Sequence, residues 1–193
     1  MKRLSLYLFL LFFTLQTPSL ADDISDFQIE GMSIGDSLLD YLSKDKIKKI
    51  KSPNKKIKIV RAYKKDNLEI YDSFQLWWFD KDKDYKIVGI AGELLFNNDY
   101  KGCRKKQKEI AKSLKSSFPN LPASRDDENQ NMHDKTGKSK TYHYILDFPN
   151  GDMINVQCYI FSEDFKKKNR LNDNLKVMMV TKIMNEHYRQ ADK

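Results

Sequence analysis

The chain has 193 residues, with 35 Lys and Arg against 27 Asp and Glu, a formal net charge of +8, and only 2 Cys and 3 His. Hydrophobic residues make up 40% and charged residues 32%, a balance that excludes a disordered tail and a multi-span membrane protein. Two cysteines without a nearby histidine fall short of a four-ligand Cys/His centre, so no metal or cofactor is expected.

Residues 1–21 have the three parts of a secretory signal peptide. Lys2 and Arg3 precede an apolar run from Leu4 to Phe13, and Ser19-Leu20-Ala21 supplies a small-residue cleavage site. Cleavage is expected after Ala21, leaving 22–193 as a single exported domain, periplasmic or extracellular and soluble. No later stretch approaches the roughly 20 apolar residues of a transmembrane helix. Without Lys2 and Arg3 there are 33 basic residues (35 minus 2) against 27 acidic, so the mature protein stays basic at +6. In an exported compartment that balance points to anionic lipid headgroups or acidic polysaccharide rather than nucleic acid.

From Asp22 to Ser33 the chain reads as a flexible lead-in. Ser37, followed by Asp40 at capping-box spacing and by Leu38, Leu39, Tyr41 and Leu42, predicts a short helix starting near Ser37. Lys44 to Lys58 holds eight lysines and one acid, and reads as a basic surface loop with a turn at Pro53-Asn54. A strand follows at Ile57 to Tyr63.

Ser73 to Phe96 is the strongest hairpin. Phe74, Leu76 and Trp78 alternate with Gln75, Trp77 and Phe79, and Val88, Ile90, Gly92, Leu94 and Phe96 share a face at strand spacing. Gly89 and Gly92 leave room for a close neighbour. Asp80, Asp82 and Asp84 between the arms invite a calcium reading. Lys81 and Lys83 oppose it, and Tyr85 stands where an EF-hand needs Gly, so a solvated turn is expected.

Asn97-Asn98-Asp99 predicts a helix start, and Pro119 ends the helix. Cys103, Gln107, Ile110, Leu114 and Phe118 form its apolar face; Lys101, Lys105, Lys108, Lys112 and Lys115 form a basic one. Residues 119–139 read as a long polar loop. Thr136-Gly137-Lys138-Ser139 resembles the end of a phosphate-binding loop, but Met132 stands where the first Gly is needed and no strand precedes it, which excludes that reading. A second hairpin runs from Thr141 to Phe148 and Met153 to Phe161 through an Asn150-Gly151 turn. A basic loop at Lys166 to Arg170, a last strand carrying Leu175, Val177, Met179 and Ile183, and a polar tail from Asn185 complete the chain.

Cys103 and Cys158 both fall on apolar faces, which predicts a disulfide in an oxidising compartment. The fold class expected is α+β: a single two-layer domain, with a mostly antiparallel sheet of about six strands and two helices on one face, helix and three strands repeated twice.

The doubled helix-plus-strands plan resembles the beta-lactamase-inhibitor proteins and the small outer-membrane-assembly lipoproteins, which implies an interaction module. IEGMSIGDSLLDYLS at Ile29 to Ser43, HDKTGKSKTYHY at His133 to Tyr144 and GDMINVQCY at Gly151 to Tyr159 resemble a group of small exported bacterial proteins without an assigned activity. Gly35-Asp36-Ser37-Leu38 also resembles the first block of the GDSL hydrolases, with Ser37 as nucleophile. Their activating Asp-x-x-His is missing, since Gln130, Lys140 and Met184 stand three before the histidines. The leading expectation is therefore a non-enzymatic binding module. Lys101, Lys105, Lys108, Lys112 and Lys115 would face an anionic envelope component or a protein. The alternatives are a serine hydrolase on Ser37, or a small-molecule site between the aromatic face with Trp77 and Phe79 and the 119–139 loop.

Overall fold

Two-residue alternation of large apolar side chains gives the sheet of this protein two unlike faces. The computed structural model describes residues 23–50, 57–63, 68–122, 125–131 and 133–191; the expected signal peptide and the expected turn at Pro53-Asn54 lie outside them. The strands are β1 (Ile57–Tyr63), β2 (Ser73–Phe79), β3 (Gly89–Leu95), β4 (Arg125–Gln130), β5 (Lys140–Asp147), β6 (Met153–Ile160) and β7 (Asn174–Val180). The helices are α1 (Lys44–Lys49), α2 (Tyr100–Ser117), α3 (Glu163–Asn169) and α4 (Lys182–Ala191).

The expected α+β class is the one observed. All neighbouring strands run antiparallel in the order β1-β2-β3-β7-β6-β5-β4. Two meanders, β1 to β3 and β4 to β7, therefore meet along the β3–β7 seam. The sheet has seven strands, one more than expected, because β4 lies inside the segment read as a loop.

On one face Leu76, Trp78, Ile90, Ile154, Val156, Cys158, Leu175, Val177 and Met179 are buried under α2 and the amino-terminal segment. Ile24, Ile29, Leu38 and Ile47 of that segment join the same core. Each such side chain contributes about 1.5–3 kcal/mol by leaving water. On the opposite face a smaller cluster of Ile57, Trp77, Ala91, Met153 and Val180 packs with Met184 of α4. Gly89 and Gly92 leave the room expected of them. A Cβ on Gly89 would meet Trp77 at 3.1 Å, and one on Gly92 would meet the Tyr71 ring at 2.6 Å.

Several local expectations are corrected. The helix expected at Ser37 is a single 3-10 turn, Leu38–Asp40, while α1 forms inside the segment read as a basic loop. Ser37 does cap its turn, accepting from Leu39 N at 3.2 Å. Val88 packs with the opposite-face cluster instead of sharing a face with Ile90, because Ile87, just before the strand, takes the place in the main core. The basic loop at Lys166 to Arg170 is mostly α3, with Glu163 and Asp164 in its first turn and Lys166, Lys167 and Lys168 in its last, each sign opposite to the local end of the helix dipole. The last strand stops at Val180. Ile183 and the expected polar tail as far as Ala191 belong to α4, whose amino end is held by Thr181: its carbonyl accepts from Asn185 N at 2.9 Å.

The turn after β4 is ordered by one carboxylate. Asp134 is 4% exposed and accepts from Thr136 N and Oγ1, Ser139 N and Oγ, and Ser162 Oγ. The Ser139 hydroxyl and its fellow donors hold this carboxyl well below the usual carboxylate range.

Candidate functional site

The site is built on α2, whose start is fixed by its cap. Asp99 accepts from Gly102 N at 2.8 Å, and a Cβ on residue 102 would lie 2.0 Å from Asp99 Oδ2. Gly102 is therefore needed at this position, because the capping carboxylate folds over it.

The inner side of α2 is held to the sheet by a covalent bond and a polar anchor. Cys103 and Cys158 are bonded with Cα atoms 6.0 Å apart, as expected from their faces. One helical turn on, Gln107 is 1% exposed, and its Nε2 donates to Tyr142 O at 2.9 Å and Val156 O at 2.7 Å. Arg104 donates to Gln107 Oε1 and lays its guanidinium over the Tyr142 ring, 4.2 Å from the centroid. Ala111 and Leu114 complete the buried stripe.

With that stripe buried, period 3.6 places the lysines outward. Lys101, Lys105, Lys108, Lys112 and Lys115 are all exposed, at alternating spacings of four and three that keep them in one row. From Lys101 to Lys115 the row runs about 21 Å at 1.5 Å per residue. Lys115 donates to Leu121 O at 2.8 Å. Among the described residues, no acid or carbonyl is paired with Lys101, Lys105, Lys108 or Lys112. Across α2 there are seven basic residues and one acid, Glu109, which pairs with Lys106 at 3.7 Å outside the row.

Two shallow troughs adjoin the row. One, of about 550 Å³, lies among Tyr100, Lys101, Arg104, Lys105, Lys108, Lys112 and the one acid of the helix, Glu109. The other, of about 420 Å³, lies among Lys108, Ala111, Lys112, Lys115 and Tyr144. Lys108 and Lys112 line both. On the neighbouring strands Lys140 Nζ sits 2.7 Å from Glu128 Oε1, and its ammonium holds that carboxyl below the usual range. Burial, with Tyr100 beside it, pushes the Tyr142 phenol up, so the ring under Arg104 stays neutral.

The structure thus gathers the five predicted lysines on one helix face and adds Tyr100 and Arg104, which their charge pattern alone did not single out. The other sequence candidates are engaged elsewhere. Ser37 Oγ donates to Asp84 O at 2.7 Å, a backbone acceptor that gives no activation. Asp82 accepts from Asp84 N and Lys86 N and so shapes the hairpin turn. Trp77 is buried under α4, and β4 occupies part of the predicted loop.

Fold and site together define an α+β protein with a cationic helical face. The chain matches no family model, no curated protein and no solved structure.

Proposed function

We propose that this protein is an exported, non-enzymatic binding module that holds an anionic envelope component along the outer face of α2. The observation that carries the reading is the row of Lys101, Lys105, Lys108 and Lys112, exposed and unpaired among the described residues beside two shallow troughs. Solvated lysines on a helix face commonly lie among acids that offset them. Here the helix carries one acid, and it lies outside the row. Export is supported by the signal-like sequence at 1–21 and by the Cys103–Cys158 bond. The partner class is an anionic envelope component: lipid headgroups or acidic polysaccharide.

The test is retention on anionic vesicles and on immobilised acidic polysaccharide across a salt series. The wild-type protein is expected to elute as salt rises. Replacing Lys105, Lys108, Lys112 and Lys115 with Gln should cut the steepness of the salt dependence by about one unit per lysine, by the counterion-release rule for linear polyanions. Retention unchanged by that substitution would refute the reading.

A further inference from the structure

The face of the sheet turned away from α2 carries a cross-strand row that is polar on five strands. His143, Gln157, Lys176, Glu93 and Ser73 stand in register on β5, β6, β7, β3 and β2. At one end the row is tightly bonded. Ser73 Oγ donates to Glu93 Oε2 at 2.8 Å, Gln75 Nε2 donates to Glu93 Oε1 at 2.9 Å, and Lys176 Nζ lies 3.4 Å from Glu93.

At the other end it is slack. Asn155, next to Gln157 on the same face of β6, is 5% exposed, and its Oδ1 has no hydrogen-bond partner. Its Nδ2 lies 3.4 Å from His143 Nδ1, and Gln157 Nε2 lies 3.3 Å from the same nitrogen. Both contacts are longer than ordinary hydrogen bonds. Other buried polar groups of this protein are treated differently. Asp134 has five donors, and Asp173 accepts from Phe161 N and Lys166 Nζ at 2.8 Å each. A buried carboxamide oxygen left open lowers stability, so its retention calls for a partner that supplies the missing donor.

The surroundings specify that partner. Lys176 and Glu93 offset each other, which disfavours a charged ligand. Carboxamides offer both donors and acceptors, the pattern that vicinal hydroxyls satisfy, since each hydroxyl donates once and accepts as well. Further along β6, Tyr159 donates to Gln157 Oε1 at 2.7 Å and stacks on Phe161, ring centroids 5.8 Å apart and 17° from parallel. Phe165 of α3 extends that stack. From Asn155 to Tyr159 is about 13 Å at strand rise, the length of about two to three sugar rings.

We propose that this face binds a short neutral saccharide lying along β6, with a sugar hydroxyl donating to Asn155 Oδ1 and a ring face lying against the Tyr159–Phe161 pair. His143, half-buried and touching both carboxamides, lines the same site.

Chitotriose, cellotriose and maltotriose, each titrated into the isotope-labelled full chain and followed by amide NMR shifts, test the proposal. At least one is expected to move the amides of β5, β6 and β7 around His143, Gln157 and Lys176. Asn155→Leu should weaken that binding about tenfold or more while leaving the melting temperature equal or raised by about 2–4 °C, as removal of an unsatisfied buried group predicts. Three outcomes overturn the proposal. They are no shift with any of the three sugars, shifts confined to α2, and a lowered melting temperature in Asn155→Leu with binding intact, which would assign Asn155 to a buried water only. The wild-type titration stands by itself if the variant fails to fold.

Discussion

Reducing the Cys103–Cys158 bond is expected to lower the melting temperature by about 11 °C while leaving the folded protein spectroscopically unchanged. The bond closes 55 residues, and the loop-entropy relation gives about 14 cal/mol/K, or about 4 kcal/mol at 25 °C, removed from the unfolded ensemble. For the stretch from residue 22 to 193, about 170 residues, unfolding entropy near 2.1 cal/mol/K per residue totals about 360 cal/mol/K, which converts that energy to about 11 °C. The native side of the bond adds little to this, because α2 stays docked through Gln107 and Leu114, both buried. The assay is calorimetry of oxidised and reduced protein, with a Cys103→Ala, Cys158→Ala double variant as control, and near-UV circular dichroism below the transition. Urea unfolding of the reduced form should show a larger m-value, since its denatured chain expands further. A drop below about 4 °C, or loss of the near-UV signal on reduction, would refute the reasoning by placing the effect in the native state.

Gln107→Leu leaves Tyr142 O and Val156 O without their donor and should cost about 2–4 kcal/mol, read as a lower urea midpoint; a loss under about 1 kcal/mol would mean other donors replace it. Gly102→Ala inverts the usual helix preference. The added Cβ collides with Asp99 Oδ2 and should cost about 1–2 kcal/mol by breaking the cap, and a stabilised variant would contradict the capping geometry. Asp134 has a native pKa depressed below its unfolded value of about 3.9, so its contribution is present above that pH and is lost as pH falls through the native value. Asp134→Asn should therefore be weaker at neutral pH and flatter in stability below pH about 4, and urea midpoints with parallel pH slopes would rule this out.

The sheet was legible because alternation survives in the sequence wherever one face is buried. Leu76 and Trp78, Ile154 to Ile160, and Leu175 to Met179 each show it, and each lies where that spacing puts it. The two cysteines were legible for the same reason, since each shares a face with residues that reach the core. β4 was hidden because Arg125–Gln130 contains no apolar residue: it is an edge strand held by its ladder to β5, and charge on an edge discourages further pairing. α3 was hidden by its lysines. A run of three reads as a loop unless the preceding Ser162, Glu163 and Asp164 are taken as a helix start. α4 was misread because Ile183 continues the strand alternation by accident, while Met184 is the residue that is buried. The lysine row was readable from spacing, whereas the slack at Asn155 arises from contacts between β5 and β6 that no local pattern encodes.

The β3–β7 seam sets an order of events for a chain synthesised from its amino terminus. β1, β2 and β3 pair with near neighbours and can close as soon as they emerge. The outer edge of β3 then waits for Asn174–Val180, the last strand to appear, while β4, β5 and β6 assemble in between. During that interval Ile90 and Leu94 line an open edge, the kind of surface that recruits strands from other chains. The cysteines add no competing route, because two thiols allow a single intramolecular pairing. Completion of β7 is thus the step that turns two half-sheets into one protein, and a chain shortened before Asn174 would present its β3 edge permanently.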